Sequence, residues 1–89
     1  MKSLMTTEFV LRFQRLSPQV QAAARKAYRL WQHDRSHPSL HFKRIHSHDL
    51  IFSVRISLGW RALGLLENET IHWFWIGSHA EYDSVIRSL

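Results

Sequence analysis

The chain has 89 residues, 45% of them hydrophobic and 12% aromatic, which fits one folded domain and excludes a disordered chain. It has no cysteine, so disulfides and thiolate metal sites are excluded, and a reducing cytoplasm suits this composition. We expect no membrane partner, because no apolar run approaches a span of roughly 18 residues and no apolar signal segment is present. The formal net charge of +5 favours RNA, DNA or an acidic protein segment as partner; a basic surface with no such partner is the alternative.

We expect the first six residues to be unstructured. In the segment 7–16, Phe9, Phe13 and Leu16 stand at i, i+4 and i+7, which predicts a helix with Thr6 or Thr7 as its N-cap. The same segment also alternates in the manner of a strand, so a strand stays open as an alternative.

The second helix has a clearer start. Ser17 is a suitable N-cap, and Pro18 suits the first helical position because its missing N–H would be unsatisfied there anyway. The loop 34–39 ends the helix. The face that we expect this helix to bury carries Val20, Ala23, Ala24, Ala27, Tyr28 and Trp31.

After that loop the hydrophobic period changes from 3.6 to 2, which indicates strands. Four candidate strands cover residues 41–46, 50–57, 60–67 and 70–76. Their short connections impose antiparallel neighbours. The chain 1–89 is therefore predicted to be a single α+β domain. Two N-terminal helices pack on a four-stranded antiparallel sheet, and a short C-terminal helix follows over 81–89.

The two hairpin loops suggest a register for the sheet. Gly59 can supply the left-handed position of a three-residue loop, and Asn68 and Glu69 form a two-residue loop. Together with a short loop before the second strand, they predict the pairs Lys43–Ser53, Phe52–Gly64, Val54–Ala62, Arg55–Arg61, Ile56–Trp60, Ala62–Trp75, Gly64–Trp73 and Leu66–Ile71. The face expected to receive the helices then carries Phe52, Val54, Ile56, Trp60, Ala62, Leu66, Ile71, Trp73 and Trp75.

The opposite face of the predicted sheet is basic. Arg55 and Arg61 lie directly across from each other, and Lys43 lies on the same face; we call these three residues the basic stripe. Like charges at that spacing are destabilising by themselves. Either Glu81 or Asp83 neutralises the stripe internally, or the stripe binds phosphate, whose oxygens match arginine forks bidentately.

Titratable residues follow the last strand at the point where Gly77 ends it. Among them are His79, Glu81 and Tyr82, and a rigid strand can aim such groups at a ligand. A histidine can act as base or acid near neutral pH. The alternatives are that His79 caps the following helix and that Tyr82 is a packing residue.

Three segments of the chain resemble the RelE/ParE superfamily of bacterial type II toxins. They are HPSLHFKRI (37–45), FSVRISLGWRALG (52–64) and WFWIGSHAEYD (73–83). Members of this superfamily include ribosome-dependent mRNA interferases, gyrase poisons and proteins with no known target. The resemblance therefore implies a cytoplasmic toxin whose protein partner is a cognate antitoxin.

The resemblance also implies roles for individual residues in an mRNA interferase. Lys43 stands where relatives place a residue near the nucleophilic 2′-hydroxyl, and Arg55 and Arg61 match basic positions that hold the scissile phosphate. His79 follows the strand-ending glycine by two residues, where many relatives have arginine. Tyr82 approximates the C-terminal tyrosine of some relatives, at a shorter spacing from that glycine.

Such cleavage needs a base for the 2′-hydroxyl, an acid for the leaving 5′-oxygen and cations for the phosphorane. Glu81 or Lys43 could supply the second proton-transfer group, and the route requires no metal or cofactor. We therefore expect a metal-independent endoribonuclease that acts on mRNA at the ribosome. A gyrase poison and a non-catalytic antitoxin-binding module of the same fold are the alternatives.

Overall fold

The computed structural model describes residues 1–89 and confirms the α+β class. Its helices are α1 (Thr7–Gln14), α2 (Pro18–His33), a short 3₁₀ helix (Pro38–Leu40) and α3 (His79–Arg87). Its strands are β1 (Lys2–Met5), β2 (Lys43–Arg44), β3 (Ile51–Ser57), β4 (Trp60–Glu67) and β5 (Thr70–Ser78). They form one sheet in the order β1-β5-β4-β3-β2. None of the helices combines the length and the apolar character needed to cross a membrane.

The sheet has five strands rather than four, because the start of the chain is a strand. β1 pairs in parallel with β5, with Lys2 opposite Thr70 and Met5 opposite Trp73. The expectation of an unstructured start was therefore wrong. The partner of β1 lies near the other end of the chain, so no local pattern in the first six residues reveals the pairing.

Both N-terminal helices begin at hydroxyl caps. The Thr6 hydroxyl accepts a hydrogen bond from the Phe9 N–H at 3.1 Å, so the helix prediction for this segment is confirmed over the strand alternative. The Ser17 hydroxyl accepts from the Val20 N–H at 3.3 Å, with proline in the first turn as predicted.

The central register is confirmed at the pairs Lys43–Ser53, Phe52–Gly64, Val54–Ala62, Arg55–Arg61, Gly64–Trp73 and Leu66–Ile71. The turn between β3 and β4 differs from the prediction. Gly59 does not have a positive φ, Ser57 rather than Ile56 pairs with Trp60, and Ile56 is the extra residue of a bulge. Ile56 nevertheless packs on the predicted side of the sheet.

A second bulge lies in β5. Trp75 pairs with Leu63 and Ile76 pairs with Ala62, so Phe74 is the inserted residue. Because side chains alternate along a strand, this insertion moves Trp75 to the opposite face, and its predicted place among the helix-facing residues was wrong. Ile76, only 1% exposed, takes that place.

The two faces of the sheet carry separate cores. We call the face under α1 and α2 the α1/α2 face; the core between it and the helices contains Phe9, Ala27, Trp31, Leu40, Val54, Ala62, Ile71, Trp73 and Ile76. We call the face under α3 the α3 face; the core between it and this helix contains Ile51, Leu63, Trp75 and Tyr82. The strand alternation that buries Val54 and Ala62 places the neighbouring arginines on the α3 face.

Candidate functional site

The hairpin of β3 and β4 brings Arg55 and Arg61 together on the α3 face, where both are half-buried. Arg61 is anchored to the turn, since its Nη1 donates to the backbone carbonyls of Ser57 at 2.7 Å, Leu58 at 3.2 Å and Trp60 at 2.9 Å. The side chain of Arg55 makes no hydrogen bond or ion pair within the protein. The pair is thus held by the backbone on one side and open to an anion on the other.

The pKa of Arg61 is lowered from its ordinary value by this arrangement. Burial is the main cause that lowers this pKa, and the charge of Arg55 lowers it further. The charges of Tyr82 and Asp83 act in the opposite direction and raise this pKa. A bound anion would relieve the repulsion between the two arginines.

The first turn of α3 is fixed beside the β3–β4 turn. Ser78 and Glu81 form a capping box, in which the Ser78 hydroxyl accepts from the Glu81 N–H at 3.2 Å and the Glu81 carboxylate accepts from the Ser78 N–H at 3.1 Å. The His79 N–H donates to the Gly59 carbonyl at 2.8 Å. Helix α3 therefore starts next to the hairpin that carries the arginine pair.

His79 and Tyr82 lie on neighbouring positions of α3, with ring centroids 5.9 Å apart. The His79 side chain is 51% exposed, and its Nε2 is 3.7 Å from a carboxylate oxygen of Asp83. Tyr82 is buried and packs against Trp75 at 6.4 Å. His79 is accessible to a ligand, whereas the ring of Tyr82 forms part of the wall behind it.

Glu81 forms no ion pair with either arginine of the pair. Hydrogen bonds from the Ser78 backbone and hydroxyl are the main causes that lower the pKa of Glu81, and Arg12 contributes a smaller effect. The Arg12 Nη2 lies 4.0 Å from the Glu81 Oε2, and the Arg12 guanidinium lies 5.3 Å from the centre of the Trp75 ring. Sequence reasoning missed Arg12, because α1 and α3 are distant in the chain and no spacing connects them.

Lys43 occupies the outer end of the site. It lies on edge strand β2, opposite Ser53 and on the same face as Arg55, and its side chain is exposed. The basic stripe thus runs from the edge of the sheet to the start of α3. The structure pairs Arg55 with Arg61 and places the start of α3 beside their hairpin, with His79 next to Tyr82 and Asp83. Lys43 lies toward the edge of the sheet, and Glu81 lies toward Arg12 of α1.

One of the two interpretations of the sequence was that Glu81 or Asp83 neutralises the basic stripe within the protein. The ion pairs of the molecule are Arg12–Glu81, His46–Asp49 and His79–Asp83, so no carboxylate pairs directly with Arg55 or Arg61. Chemically, the site offers two cations that form no direct ion pair, suited to phosphate, and an imidazole backed by a carboxylate, suited to proton transfer.

Residues 18–84 match the sequence profile of the ParE-like toxin domain. The chain belongs to this family. It is a toxin of the RelE/ParE superfamily, as the three sequence segments implied. Among curated proteins, no sequence is significantly similar to this toxin.

Several solved structures share its fold. The RelB–RelE antitoxin–toxin complex of Methanococcus jannaschii contains a chain with a TM-score of 0.72 and 13% identity, covering 92% of this toxin and 96% of that chain. The isolated RelE toxin of E. coli has a TM-score of 0.65 and 14% identity, with 99% and 98% covered. A chain of the toxin–antitoxin complex RelBE2 from Mycobacterium tuberculosis has a TM-score of 0.63 and 20% identity, with 88% and 96% covered.

Proposed function

We propose that this toxin is a metal-independent endoribonuclease that cleaves mRNA on the ribosome. The observation that carries the proposal is the facing pair Arg55–Arg61, which forms no direct ion pair with a carboxylate and whose hairpin lies beside the first turn of α3. Two guanidinium groups in that position suit a phosphodiester, whose charge grows as the phosphorane forms. The fold shared with the E. coli RelE toxin supports the same reading.

The proposed reaction is an attack of the RNA 2′-oxygen on the adjacent phosphorus. A bond from the 2′-oxygen to phosphorus forms, the bond to the 5′-oxygen breaks, and the products are a 2′,3′-cyclic phosphate and a 5′-hydroxyl. His79 takes the 2′-hydroxyl proton, and Asp83 at 3.7 Å stabilises the resulting imidazolium. Arg55 and Arg61 hold the phosphate and stabilise its developing charge.

The leaving 5′-oxygen needs a proton, and we assign its delivery to Lys43 rather than Glu81. The ammonium group of Lys43 is exposed and unpaired on the α3 face. The Glu81 carboxylate, in contrast, is hydrogen-bonded to Ser78 and lies beside Arg12. The ring of Tyr82 holds His79 in place by packing between it and Trp75.

We also propose that the protein partner is an antitoxin with an acidic, partly helical segment. Such a segment would neutralise the basic stripe and gain its order on binding. An apolar groove of about 210 Å³ between α1, α2 and the sheet, with Met5 and Val10 at exposed positions on its lining, offers it a second contact area. The relatives from M. jannaschii and M. tuberculosis are themselves toxin–antitoxin complexes.

A gyrase poison is the second candidate function, because the matching family is described as ParE-like. In that case the basic stripe would bind an acidic protein or DNA surface without any RNA chemistry. A third candidate is a module that binds the antitoxin and is not toxic. The basic stripe would then serve only to bind the antitoxin.

Inducible expression, combined with primer-extension mapping of cellular transcripts, separates these functions. The nuclease predicts growth arrest and new 5′ ends inside coding regions, both lost in Arg55→Gln and His79→Gln. DNA breaks with intact mRNA would select the gyrase poison. Absence of toxicity, with a tight antitoxin complex still formed, would select the binding module.

A further inference from the structure

Arg12 contacts the α3 side of the molecule although it belongs to α1. Its guanidinium lies over the ring of Trp75 at 5.3 Å, and its Nη2 is 4.0 Å from the Glu81 carboxylate. The side chain is only 33% exposed, and its Nε is buried without a hydrogen-bond partner. A cation held over an indole is attracted by the ring quadrupole, and a nearby carboxylate adds to that attraction.

The two partners of Arg12 both determine where α3 lies. Glu81 closes the capping box at the start of this helix. Trp75 packs against Tyr82 and lies so close to Gly77 that a Cβ built there would be 2.5 Å from the indole. Arg12 therefore joins α1 to the strand end and to the helix turn that together carry the candidate catalytic groups.

We infer that Arg12 is a positioning residue, which holds the first turn of α3 and thereby sets His79 and Tyr82 against the arginine pair. Its effect on α3 follows from the contacts alone, while its effect on catalysis depends on the nuclease proposed above. Arg12 need not touch RNA for either effect. No other cation of the N-terminal helices is paired with a residue of α3.

Amide hydrogen exchange of the full chain tests the effect on α3. Arg12→Gln should speed exchange in α3 by about threefold to tenfold and leave β4 unchanged, because a partly exposed contact of this kind has a modest free energy. Arg12→Lys, which keeps the charge, should retain part of the protection. Arg15→Gln, an exposed position three residues further along, is the matched control and should behave as wild type.

Unchanged exchange in α3 of Arg12→Gln would overturn the inference. Equal acceleration in β4, or the same acceleration in Arg15→Gln, would also overturn it, because either result would indicate general destabilisation. Glu81→Gln provides a second approach from the partner side: the double variant Arg12→Gln/Glu81→Gln should exchange more slowly than the product of the two single effects predicts. Additive effects would contradict the contact.

The catalytic consequence is measured separately. With RNA on programmed ribosomes, Arg12→Gln should lower kcat by about tenfold or more with little change in KM, since a misplaced catalytic group costs rate rather than binding. If wild type does not cleave RNA, the proposed function fails, and the exchange data still decide the role of Arg12. Cleavage at the wild-type rate by Arg12→Gln with a loosened α3 would reject the positioning role.

Discussion

The two faces of this sheet are built from the same strands yet differ in almost every property. The core on the α1/α2 side contains nine buried hydrophobic residues, among them Trp31 and Trp73, whose ring centroids lie 5.4 Å apart in an edge-on contact. The core on the α3 side contains four, next to the basic stripe. Because side chains alternate along each strand, a small domain can put its stability on one face and its chemistry on the other.

Each face accommodates one indole by means of one glycine. A Cβ at Gly64 would lie 2.8 Å from Trp73 on the α1/α2 face, and a Cβ at Gly77 would lie 2.5 Å from Trp75 on the α3 face. The indole of Trp73 belongs to the large core, whereas the indole of Trp75 supports α3 and the candidate site. A glycine beneath an indole therefore contributes to the stability of the large core on one face and to the position of α3 on the other.

The largest effect is expected for Trp73→Ala on the α1/α2 face. Loss of a buried indole costs about 3–5 kcal/mol, a large part of the roughly 5–15 kcal/mol that stabilises a domain. Urea unfolding followed by circular dichroism should show a protein that is mostly unfolded or has a much lower midpoint. A loss of less than about 1 kcal/mol would contradict the assignment of this face as the main core.

Arg55→Gln on the α3 face should lower activity without lowering stability. RNA cleavage should fall by about 10²–10³-fold, because one of two cations at the phosphate is lost. The free energy of unfolding should stay constant or rise by up to about 0.5 kcal/mol, since the repulsion with Arg61 is removed. Arg29→Gln, exposed on α2, is the control for general charge. A clear loss of stability in Arg55→Gln would break the proposed division between the faces.

Substitutions of Gly64 and Gly77 should have effects of intermediate size, and they allow the two faces to be compared. Gly64→Ala and Gly77→Ala should each destabilise by about 1–3 kcal/mol, since the new methyl group displaces Ile71 and Trp73 in the first variant and Trp75 in the second. Only Gly77→Ala should also lower cleavage under conditions where both variants are fully folded. Equal activity of the two folded variants would show that the position of Trp75 does not matter for the site.

The smallest effect concerns the pH dependence of the cap at α3. Because the pKa of Glu81 is lowered in the folded protein from its ordinary value of 4.5, folding favours the ionised carboxylate. This stabilisation is complete above that ordinary value and is lost as the pH falls through the lowered folded value. The difference in unfolding free energy between wild type and Glu81→Gln should therefore be present at neutral pH and shrink in acid. A difference that grows as the pH falls would contradict the prediction that the ionised Glu81 carboxylate stabilises the folded protein.

Much of the candidate site could be predicted from the sequence, because the pairing of Arg55 with Arg61 follows from strand alternation and the short connection between β3 and β4, although the turn itself differs from the predicted one. Trp75 could not be placed, since the bulge at Phe74 has no sequence signature and moves it to the other face. The strand β1 and the contact of Arg12 with α3 also escaped prediction. Both join segments far apart in the chain, which local periodicity does not report.

Cleavage of a defined mRNA on programmed ribosomes by purified protein, with the chemistry of the new ends determined, tests the central claim most directly. Wild type should produce 2′,3′-cyclic phosphate and 5′-hydroxyl ends on the ribosome-bound mRNA, and folded Arg55→Gln should produce almost none. Equal cleavage by the two proteins would show that the arginine pair on the α3 face is not the nuclease site. Absence of cleavage by wild type would contradict the nuclease itself.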